Sequence, residues 1–317
     1  MAMKAVVARN ISEEMKEKME ALGYELTVFT KEMQEKGEVP DAEVAVGSQA
    51  LKHMPWEKMT DLRAVFLKSV GIDYLPLDLL KERGIVLTNI KGAYSRAIGE
   101  WIVFSLLRLR KNDRKFLRQQ DGKIWEQDLS LGSLEKKRIL FLGTGSICQE
   151  AAKMLQAFGC QRIGMNTSGK SVEGFDEIIE EKHLKEVLPT VDDVVVGLPM
   201  TEKTRHFVDE DFLKTMKEGA HLINIARGTI VDEEALVKSL EEHHLGGACL
   251  DVFEKEPLPK ESPLWEMENV YVTPHNSFAA EDREEREFAP ILENLIRYKK
   301  DGTDAEFVNA INLERGY

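Results

Sequence analysis

The sequence is poor in cysteine, with three in 317 residues: Cys148, Cys160 and Cys249. An odd number cannot pair completely into disulfides, and no two of the three have the short spacing of a zinc site. We therefore expect no metal centre and a cytoplasmic location, where thiols stay reduced.

Positive charge and long apolar runs are also scarce. Lys and Arg number 43 against 56 Asp and Glu, a formal net charge of −13. That charge disfavours binding to nucleic acid or to anionic membranes, because both partners are themselves negative. Apolar runs such as residues 101–107 are far shorter than the roughly 20 residues of a membrane span. The first nine residues are typical of a strand rather than a secretory leader. We expect neither nucleic acid nor membrane as a partner.

Short β-rich runs alternate with longer amphipathic segments along most of the chain. This alternation is typical of the α/β class, in which parallel sheets are covered by helices on both faces. The candidate strands form two series, 4–9, 43–47, 64–68 and 86–89, then 138–142, 161–165, 192–198, 221–224, 248–252 and 270–273. Two series predict two α/β domains.

Two helical stretches suggest how these domains connect. Residues 98–110 form an apolar stretch with a basic end between the two series, and residues 281–299 follow the second series. The last stretch could return to the first domain, with a kink or an interruption at Pro290, which lacks a backbone donor. We predict a discontinuous substrate-binding domain, 1–98 plus 283–317, and a dinucleotide-binding domain, 99–282.

A glycine-rich turn follows the strand at 138–142 and leads into a helical segment, with the order Gly143-Thr144-Gly145-Ser146-Ile147-Cys148. Gly143 permits the tight turn, and Gly145 lets backbone amides approach a pyrophosphate at the helix N-terminus. Cys148 replaces the third glycine of the dinucleotide-binding pattern. The turn alone leaves open an ordinary βα connection, whereas a P-loop is excluded because no Gly-Lys-Ser/Thr follows.

The second strand of this series ends at Asn166, where an NAD site usually has Asp or Glu to bind the adenosine ribose. The chain has Asn166-Thr167-Ser168-Gly169-Lys170 instead, with two hydroxyls and a cation. A carboxylate about 4 Å from a 2′-phosphate would cost on the order of 4 kcal/mol at an effective dielectric of 20. Its absence favours NADP(H) over NAD(H), although a polar turn that binds nothing remains the alternative.

Three later segments, at 223–228, 250–259 and 272–277, place Arg227, Glu256 and His275 after successive candidate strands. Each residue alone could be a salt-bridge partner, a solvated acid or a turn histidine. Their order after a dinucleotide turn resembles the D-isomer-specific 2-hydroxyacid dehydrogenase family. The resemblance covers nearly the whole chain and includes segments 70–73, 89–92, 98–100 and 198–201. It implies two Rossmann-like or flavodoxin-like domains with parallel sheets and a cleft between them.

The resemblance also implies a role for each site residue. Arg227 would bind the carboxylate of a 2-oxo acid, together with the backbone amides of Val70 and Gly71. His275 would donate the proton, since the ordinary pKa of histidine, about 6.5, lies near working pH. Glu256 would pair with the imidazole. For Tyr94 the sequence leaves two alternatives open: it shapes the substrate pocket, or it packs between the domains. The implied cofactor-binding residues are Gly143, Thr144, Gly145, Ser146, Ile147, Asn166, Thr167, Ser168, Lys170, Pro199, Thr204, Ile225 and Asp251.

The expected activity is reversible reduction of a 2-oxo acid to the D-2-hydroxy acid with NADPH. A dinucleotide-sensing or corepressor-like protein on the same fold is the alternative. Within the family, Glu256 argues against formate oxidation, and the chain end at 317 lowers the expectation of phosphoglycerate oxidation. Pyruvate, glyoxylate, and branched or aromatic 2-oxo acids all remain open. The resemblance also implies a homodimer.

Overall fold

The computed structural model describes residues 3–313, and these divide into two units. The first unit comprises residues 3–93 and 281–313, and the second comprises residues 94–280. Each unit is built on one sheet, with five strands in the first and seven in the second. All neighbouring strands within these two sheets run parallel. The predicted α/β fold class is therefore confirmed.

The sheet of the first unit has the strand order β2-β1-β3-β4-β5, which is the flavodoxin-like order. The sequence prediction missed its edge strand β2, in which exposed and half-buried positions interrupt the apolar pattern. The elements of this part of the chain are β1 (Met3–Ala8), α1 (Glu13–Ala21), β2 (Tyr24–Phe29), α2 (Lys31–Lys36), β3 (Val44–Gly47), β4 (Ala64–Leu67), α3 (Leu77–Glu82) and β5 (Val86–Thr88).

The second unit has the order β12-β11-β10-β9-β6-β7-β8, a doubly wound sheet of the Rossmann type. Its direction of winding reverses between β6 and β9, which is where ligands bind in such sheets. The elements are α4 (Ser95–Lys111), α5 (Asp113–Asp121), β6 (Arg138–Leu142), α6 (Ser146–Leu155), β7 (Gln161–Met165), β8 (Glu177–Ile179), α7 (Leu184–Val187), β9 (Asp193–Val196), α8 (Glu210–Thr215), β10 (His221–Asn224), α9 (Glu233–Glu241), β11 (Gly247–Leu250) and β12 (Val270–Val272). The short strand β8 was also missed.

Both faces of this second sheet are buried, because successive side chains of a strand point to opposite sides. Leu140 and Leu142 of β6 belong to one apolar cluster, with Val194 and Val196 of β9. The alternate strand residues Ile139, Phe141 and Val195 belong to a second cluster. The helices α4 and α6 contribute Ile102, Leu106, Cys148, Ala151 and Leu155 to it. Continuous apolar strands are what a parallel sheet covered on both faces requires.

The last helix, α10 (Arg283–Asp301), belongs to the first unit and runs without a break through Pro290. The helix is therefore not interrupted at this proline, and the kink stays a prediction. A proline inside a helix costs about 3 kcal/mol. Phe288, Ile291 and Leu295 are all buried, and full burial of each such side chain is worth about 1.5–3 kcal/mol. The packing of one apolar face therefore outweighs the lost hydrogen bond.

Within residues 3–313, no helix is both long enough and apolar enough to cross a membrane.

Candidate active site

The glycine turn of the second unit connects β6 to α6. Gly143 has φ +102°, and a Cβ there would lie 2.8 Å from the backbone oxygen of Gly197. Gly145 precedes Ser146 and Ile147, which begin α6, and a Cβ on Gly145 would meet no atom within 4 Å. Open space therefore lies against the first backbone amides of this helix, where the helix dipole favours an anion. These residues fit the pyrophosphate of a dinucleotide.

Cys148, at the position of the third glycine, is 1% exposed on the first turns of α6. Burial raises the pKa of its thiol to about 12. The thiol is therefore a packing group rather than a nucleophile.

Asn166 follows β7 and organises a small loop. Its side-chain nitrogen donates to Thr144 Oγ1 at 3.3 Å and to the carbonyl of Lys170 at 3.1 Å. Its Oδ1 accepts from the backbone N–H and the hydroxyl of Ser168. Residues 167–170 of this loop are exposed, so Thr167, Ser168 and the Lys170 side chain face solvent. The loop is thus tied by Asn166 to the glycine turn.

A carboxylate that the sequence analysis missed, Glu180, lies beside the same loop. A Cβ built on Gly169 would be 3.4 Å from Glu180 Oε1, and Lys182 Nζ pairs with the same oxygen at 2.9 Å. Glu180 follows β8, so finding it required recognising this three-residue edge strand. The loop therefore has a nearby acid, although that acid is paired with a cation.

The segment after β9 contains Pro199 and Thr204, both predicted to contact the cofactor. Thr204 Oγ1 donates to the carbonyl of Pro199 at 2.7 Å and accepts from the backbone N–H of Thr201 at 2.8 Å. This hydroxyl therefore closes the turn. Ile225, just after β10, is 7% exposed and packs in the core face that contains α4 and α6.

Arg227 lies three residues beyond the end of β10. The buried Asn224 shapes this segment: its amide donates to the carbonyl of Arg227 at 3.0 Å, and its Oδ1 accepts from the N–H of Ala226 at 3.1 Å. The Arg227 guanidinium donates to the Ala226 carbonyl at 2.8 Å. A buried amide at the strand end thus fixes the backbone from which Arg227 projects.

Asp251 follows β11 and anchors the histidine segment that follows β12. Its carboxylate accepts from Thr273 Oγ1 at 2.6 Å and from the backbone N–H groups of Asn276 at 2.9 Å and Ser277 at 3.0 Å. Its backbone carbonyl accepts from the N–H of His275 at 2.8 Å. The carboxylate is buried, so these donors compensate its desolvation. Its expected contact with the cofactor stays a prediction.

Glu256 and His275 are in direct contact. Glu256 Oε2 lies 2.9 Å from His275 Nδ1, and Glu256 Oε1 accepts from the N–H of Phe253 at 3.1 Å. His275 has φ +51°, an unusual backbone conformation for a residue with a side chain, and such residues cluster at functional sites. Both side chains are partly exposed, 37% for the histidine and 39% for the glutamate. The imidazole is therefore oriented by a carboxylate and accessible to a ligand.

Tyr94 lies on the same side of the second unit as His275. Its ring is 5.4 Å from that of Phe278, which is 6.4 Å from the imidazole of His275. The hydroxyl of the next residue, Ser95, donates to Ser146 Oγ at 2.9 Å, which joins the start of α4 to the start of α6. Phe278 thus lies between Tyr94 and the histidine, and the residue after Tyr94 is bonded to the start of α6.

Val70 and Gly71 lie in the first unit, in the segment that follows β4. Asn89 donates its side-chain amide to the Val70 carbonyl at 2.9 Å, and Ser69 Oγ donates to the Gly71 carbonyl at 3.0 Å. In a trans peptide the N–H points opposite to the carbonyl. Asn89 therefore fixes the direction of the Gly71 N–H.

A second histidine–glutamate contact, also missed from the sequence, joins His206 Nε2 to Glu254 Oε1 at 2.7 Å. Nothing in the local sequence distinguishes His206, because its partner lies 48 positions away. Among residues 3–313 no group of three or more His, Cys, Asp or Glu side chains could hold a metal ion.

Residues 103–277 match the family model described as "D-isomer specific 2-hydroxyacid dehydrogenase, NAD binding domain". The chain is 34% identical over 279 residues to a glyoxylate reductase of Pyrococcus horikoshii, covering 85% of this chain and 83% of the relative. It is 33% identical over 242 residues to an (S)-sulfolactate dehydrogenase of Chromohalobacter salexigens, covering 76% of this chain and 78% of the relative.

A solved structure of a D-isomer specific 2-hydroxyacid dehydrogenase from Xanthobacter autotrophicus Py2, in complex with NADPH and MES, superposes with a TM-score of 0.80 at 28% identity. That match covers 99% of both chains. The family model spans more than half of the sequence, and the relatives match over most of it. The chain therefore belongs to the D-isomer specific 2-hydroxyacid dehydrogenase family and is an NAD(P)-dependent enzyme.

Proposed function

We propose that this enzyme reduces a small 2-oxo acid to the D-2-hydroxy acid with NADPH, in a reversible reaction. The observation that supports it most strongly is the 2.9 Å contact between His275 Nδ1 and Glu256 Oε2. This pair follows β11 and β12, and Arg227 follows the adjacent strand β10. In open α/β sheets, ligands bind outside these carboxyl ends.

Each residue has one task in this proposal. The nicotinamide supplies the hydride when the cofactor is bound. Because Glu256 occupies Nδ1, His275 holds the transferable proton at Nε2, where it is donated to the carbonyl oxygen of the substrate. Glu256 fixes the tautomer and stabilises the imidazolium. Arg227 binds the substrate carboxylate through its planar fork of donors.

In this proposal the substrate is a 2-oxo acid, because such a molecule has a carboxylate directly next to the carbonyl that is reduced. Arg227 would bind the carboxylate, and His275 would donate its proton to the carbonyl oxygen. Glyoxylate and 3-sulfopyruvate are the first candidates, since the two relatives are named for glyoxylate and sulfolactate. We propose that Tyr94 borders the substrate side chain. In the first unit, we propose that the Val70 and Gly71 amides contribute to carboxylate binding, which the orienting bond from Asn89 supports.

The preference for NADPH is supported by the neutral Asn166 and by the hydroxyls and ammonium group of Thr167, Ser168 and Lys170. The pairing of Glu180 with Lys182 reduces the repulsion that this acid would exert on a 2′-phosphate. We propose that Gly143, Gly145 and the start of α6 hold the pyrophosphate. Pro199, Thr204, Ile225 and Asp251 would border the remainder of the cofactor.

A homodimer is also proposed. Apolar side chains are exposed along residues 104–129 of the second unit, with Trp125 99% and Leu129 92% exposed. Such a concentration is typical of a protein–protein contact. Its other members are Phe104, Leu117 and Ile124. We propose a cytoplasmic location, consistent with three cysteines that are all free and buried.

The decisive experiment follows NADPH and NADH oxidation by absorbance with a panel of 2-oxo acids. The panel contains glyoxylate, pyruvate, 3-sulfopyruvate, and one branched and one aromatic acid. We expect the enzyme to reduce at least one of these acids, and to do so faster with NADPH than with NADH. Wherever the product is chiral, it should have the D configuration. Tight NADPH binding without turnover of any acid would count against a 2-oxo acid as the substrate.

A further inference from the structure

His206 lies between β9 and α8, and its backbone has φ +47°. A residue with a side chain adopts this conformation only where the surrounding contacts compensate the strain. His275 shares both this conformation, at φ +51°, and a glutamate partner. The two histidine–glutamate pairs lie in the same unit, and only the His275 pair has a role in the proposed reaction.

The backbone of His206 is bound to the segment that follows Arg227. The N–H of His206 donates to the carbonyl of Thr229 at 2.9 Å, and the N–H of Val208 donates to that of Ile230 at 3.0 Å. A short parallel bridge between Val208 and Val231 extends this pairing. The main chain around His206 therefore holds the residues immediately beyond Arg227.

The side chain of His206 is bound to the segment that contains Glu256. Its Nε2 lies 2.7 Å from Glu254 Oε1, two residues before Glu256. The N–H of Glu254 in turn donates to Glu233 Oε2 at 3.2 Å, at the start of α9. Burial and the neighbouring Glu254 charge raise the pKa of the Glu233 carboxyl. Glu233 is thus a third titratable group at this contact.

The two segments that His206 binds also touch each other. Gly228 packs directly on the backbone of Phe253 and Glu254, so closely that a Cβ on Gly228 would overlap the Phe253 carbonyl group. The segment bearing Arg227 and the segment bearing Glu256 therefore form one packed layer. His206 is bonded to both of them, by its backbone to one and by its imidazole to the other.

We propose that His206 is a positioning residue that holds the Glu256 segment in register with the Arg227 segment, so that Glu256 stays in contact with His275. The proposal rests on the function proposed above, because it assigns His206 an effect on that reaction. In this proposal His206 acts through Glu254 and Glu256. Its backbone and its side chain have separable effects.

The variant His206→Asn separates them. Asparagine tolerates positive φ, so the backbone bond to Thr229 is kept, while its shorter side chain cannot reach Glu254. The Glu256 segment then loses the contact between Glu254 and the imidazole, whereas the Arg227 segment keeps its backbone bond from position 206. We expect kcat to fall about 10- to 100-fold, since a misplacement of about 1 Å costs about 100-fold. The KM for the 2-oxo acid stays within about twofold.

The pH profile provides a readout that a merely structural role would not move. Reduction requires protonated His275, so the rate falls as pH rises through the ionisation of this imidazole. A Glu256 carboxylate held against the ring stabilises the protonated form. If the proposal holds, the alkaline limb of kcat in His206→Asn moves toward acid.

Two further variants complete the experiment. Glu254→Gln keeps an oxygen that accepts from His206 Nε2–H, so its kcat and alkaline limb should lie close to those of the unchanged enzyme. His183→Asn removes another histidine–glutamate contact, 3.6 Å to Glu186 on the surface of the same unit, and should change neither. NADPH affinity, measured by fluorescence, should be equal in all four proteins.

The titration of His275 is also followed directly by NMR of its Cε1–H signal in the unchanged enzyme and in His206→Asn. This measurement needs no turnover, so it decides the proposal even if no 2-oxo acid is reduced and the proposed function fails. A lower midpoint in His206→Asn supports the proposal. An unchanged midpoint of the His275 titration overturns it. The proposal is also overturned if His206→Asn only weakens NADPH binding.

Discussion

The thiol of Cys148 lies where a Cβ on Gly197 would have to be, so a side chain at position 197 would overlap Sγ. Cys148 is on α6, and Gly197 comes directly after β9, the strand beside β6. The third glycine of a dinucleotide-binding turn permits close helix–strand packing. In this protein the helix has a cysteine, and the glycine that makes room for it is on the neighbouring strand segment.

Gly197→Ala should therefore destabilise the protein by about 1–3 kcal/mol, the usual cost of overpacking a dense core. The measurement is urea unfolding, with Cys148→Gly and the double variant completing a cycle. In the double variant the methyl group introduced at position 197 enters the space that the thiol leaves. We expect the two changes to be less costly together than their sum by about 1 kcal/mol. Additive effects would show that the two residues do not share this space.

The central elements of the fold were predictable because most of their strands contain a short buried apolar run, such as residues 139–142 of β6 and 194–196 of β9. The strands β6, β7 and β10 have the predicted bounds. Of the four edge strands, β5 and β12 were predicted, whereas β2 and β8 were missed because exposed or half-buried positions interrupt their apolar pattern. Glu180 was missed with β8. The local sequence therefore identified Asn166, which follows β7, but not Glu180, which lies beside the same loop.

The other features that could not be predicted from the sequence are side-chain contacts between residues that are distant along the chain. The order Arg227, Glu256, His275 was visible, because each residue follows a recognisable strand. The contacts of Asp251 with residues 273–277, and of His206 with Glu254, join segments more than 20 residues apart. No local sequence pattern predicts these contacts, because the residues that make them are far apart in sequence and meet only in the folded protein.

Gly145→Ala separates cofactor binding from folding. A Cβ there meets no protein atom within 4 Å, and Gly145 has φ −68°, which alanine adopts readily. Unfolding free energy should change by less than about 1 kcal/mol. The methyl group would occupy the space against the first amides of α6, so NADPH affinity should fall at least about 10-fold. Calorimetric titration measures the affinity, and unchanged binding would contradict the placement of the pyrophosphate.

His275→Asn tests the proton donor without straining the backbone, since asparagine tolerates φ near +50°. Loss of general acid catalysis should lower kcat by about 10²–10⁴-fold. NADPH affinity and thermal stability should remain those of the unchanged enzyme, and His183→Asn is the matched control. A variant with normal turnover would rule out His275 as the proton donor.

Tyr24 should make the first unit sensitive to alkali. Burial raises the pKa of its phenol above the ordinary value, and its hydroxyl donates to the Leu295 carbonyl of α10 at 2.7 Å. An unfolded tyrosine ionises near pH 10, so the unfolded chain loses its proton first. The stability from this group is complete below about pH 10 and is lost as pH rises further.

Urea unfolding between pH 8 and pH 11 measures this effect. The unchanged protein should lose stability above pH 10, and Tyr24→Phe should lose less over the same interval. At pH 8 the variant should already be about 1 kcal/mol less stable, because the Leu295 carbonyl loses its donor. Tyr271, whose pKa burial raises to about 12, provides the comparison in the second unit. Parallel pH curves for the unchanged protein and Tyr24→Phe would show that this phenol does not contribute.

Asn166→Asp should reverse the cofactor preference. The new carboxylate can still accept from Ser168, so the loop keeps part of its structure, but it can no longer donate to Lys170 or Thr144. A charge about 4 Å from a 2′-phosphate costs on the order of 4 kcal/mol at an effective dielectric of 20. The ratio of kcat/KM for NADPH to that for NADH should therefore fall by at least about 100-fold.

Glu180→Gln is the matched control, because it removes the other acid beside the loop. If Asn166 determines the preference, this variant should raise the same ratio by no more than about threefold, since Lys182 already compensates the charge of Glu180. A large gain for NADPH in Glu180→Gln, with little change in Asn166→Asp, would move the determinant from the end of β7 to the end of β8. NADH would then be the expected cofactor of the unchanged enzyme, with Glu180 binding the adenosine ribose.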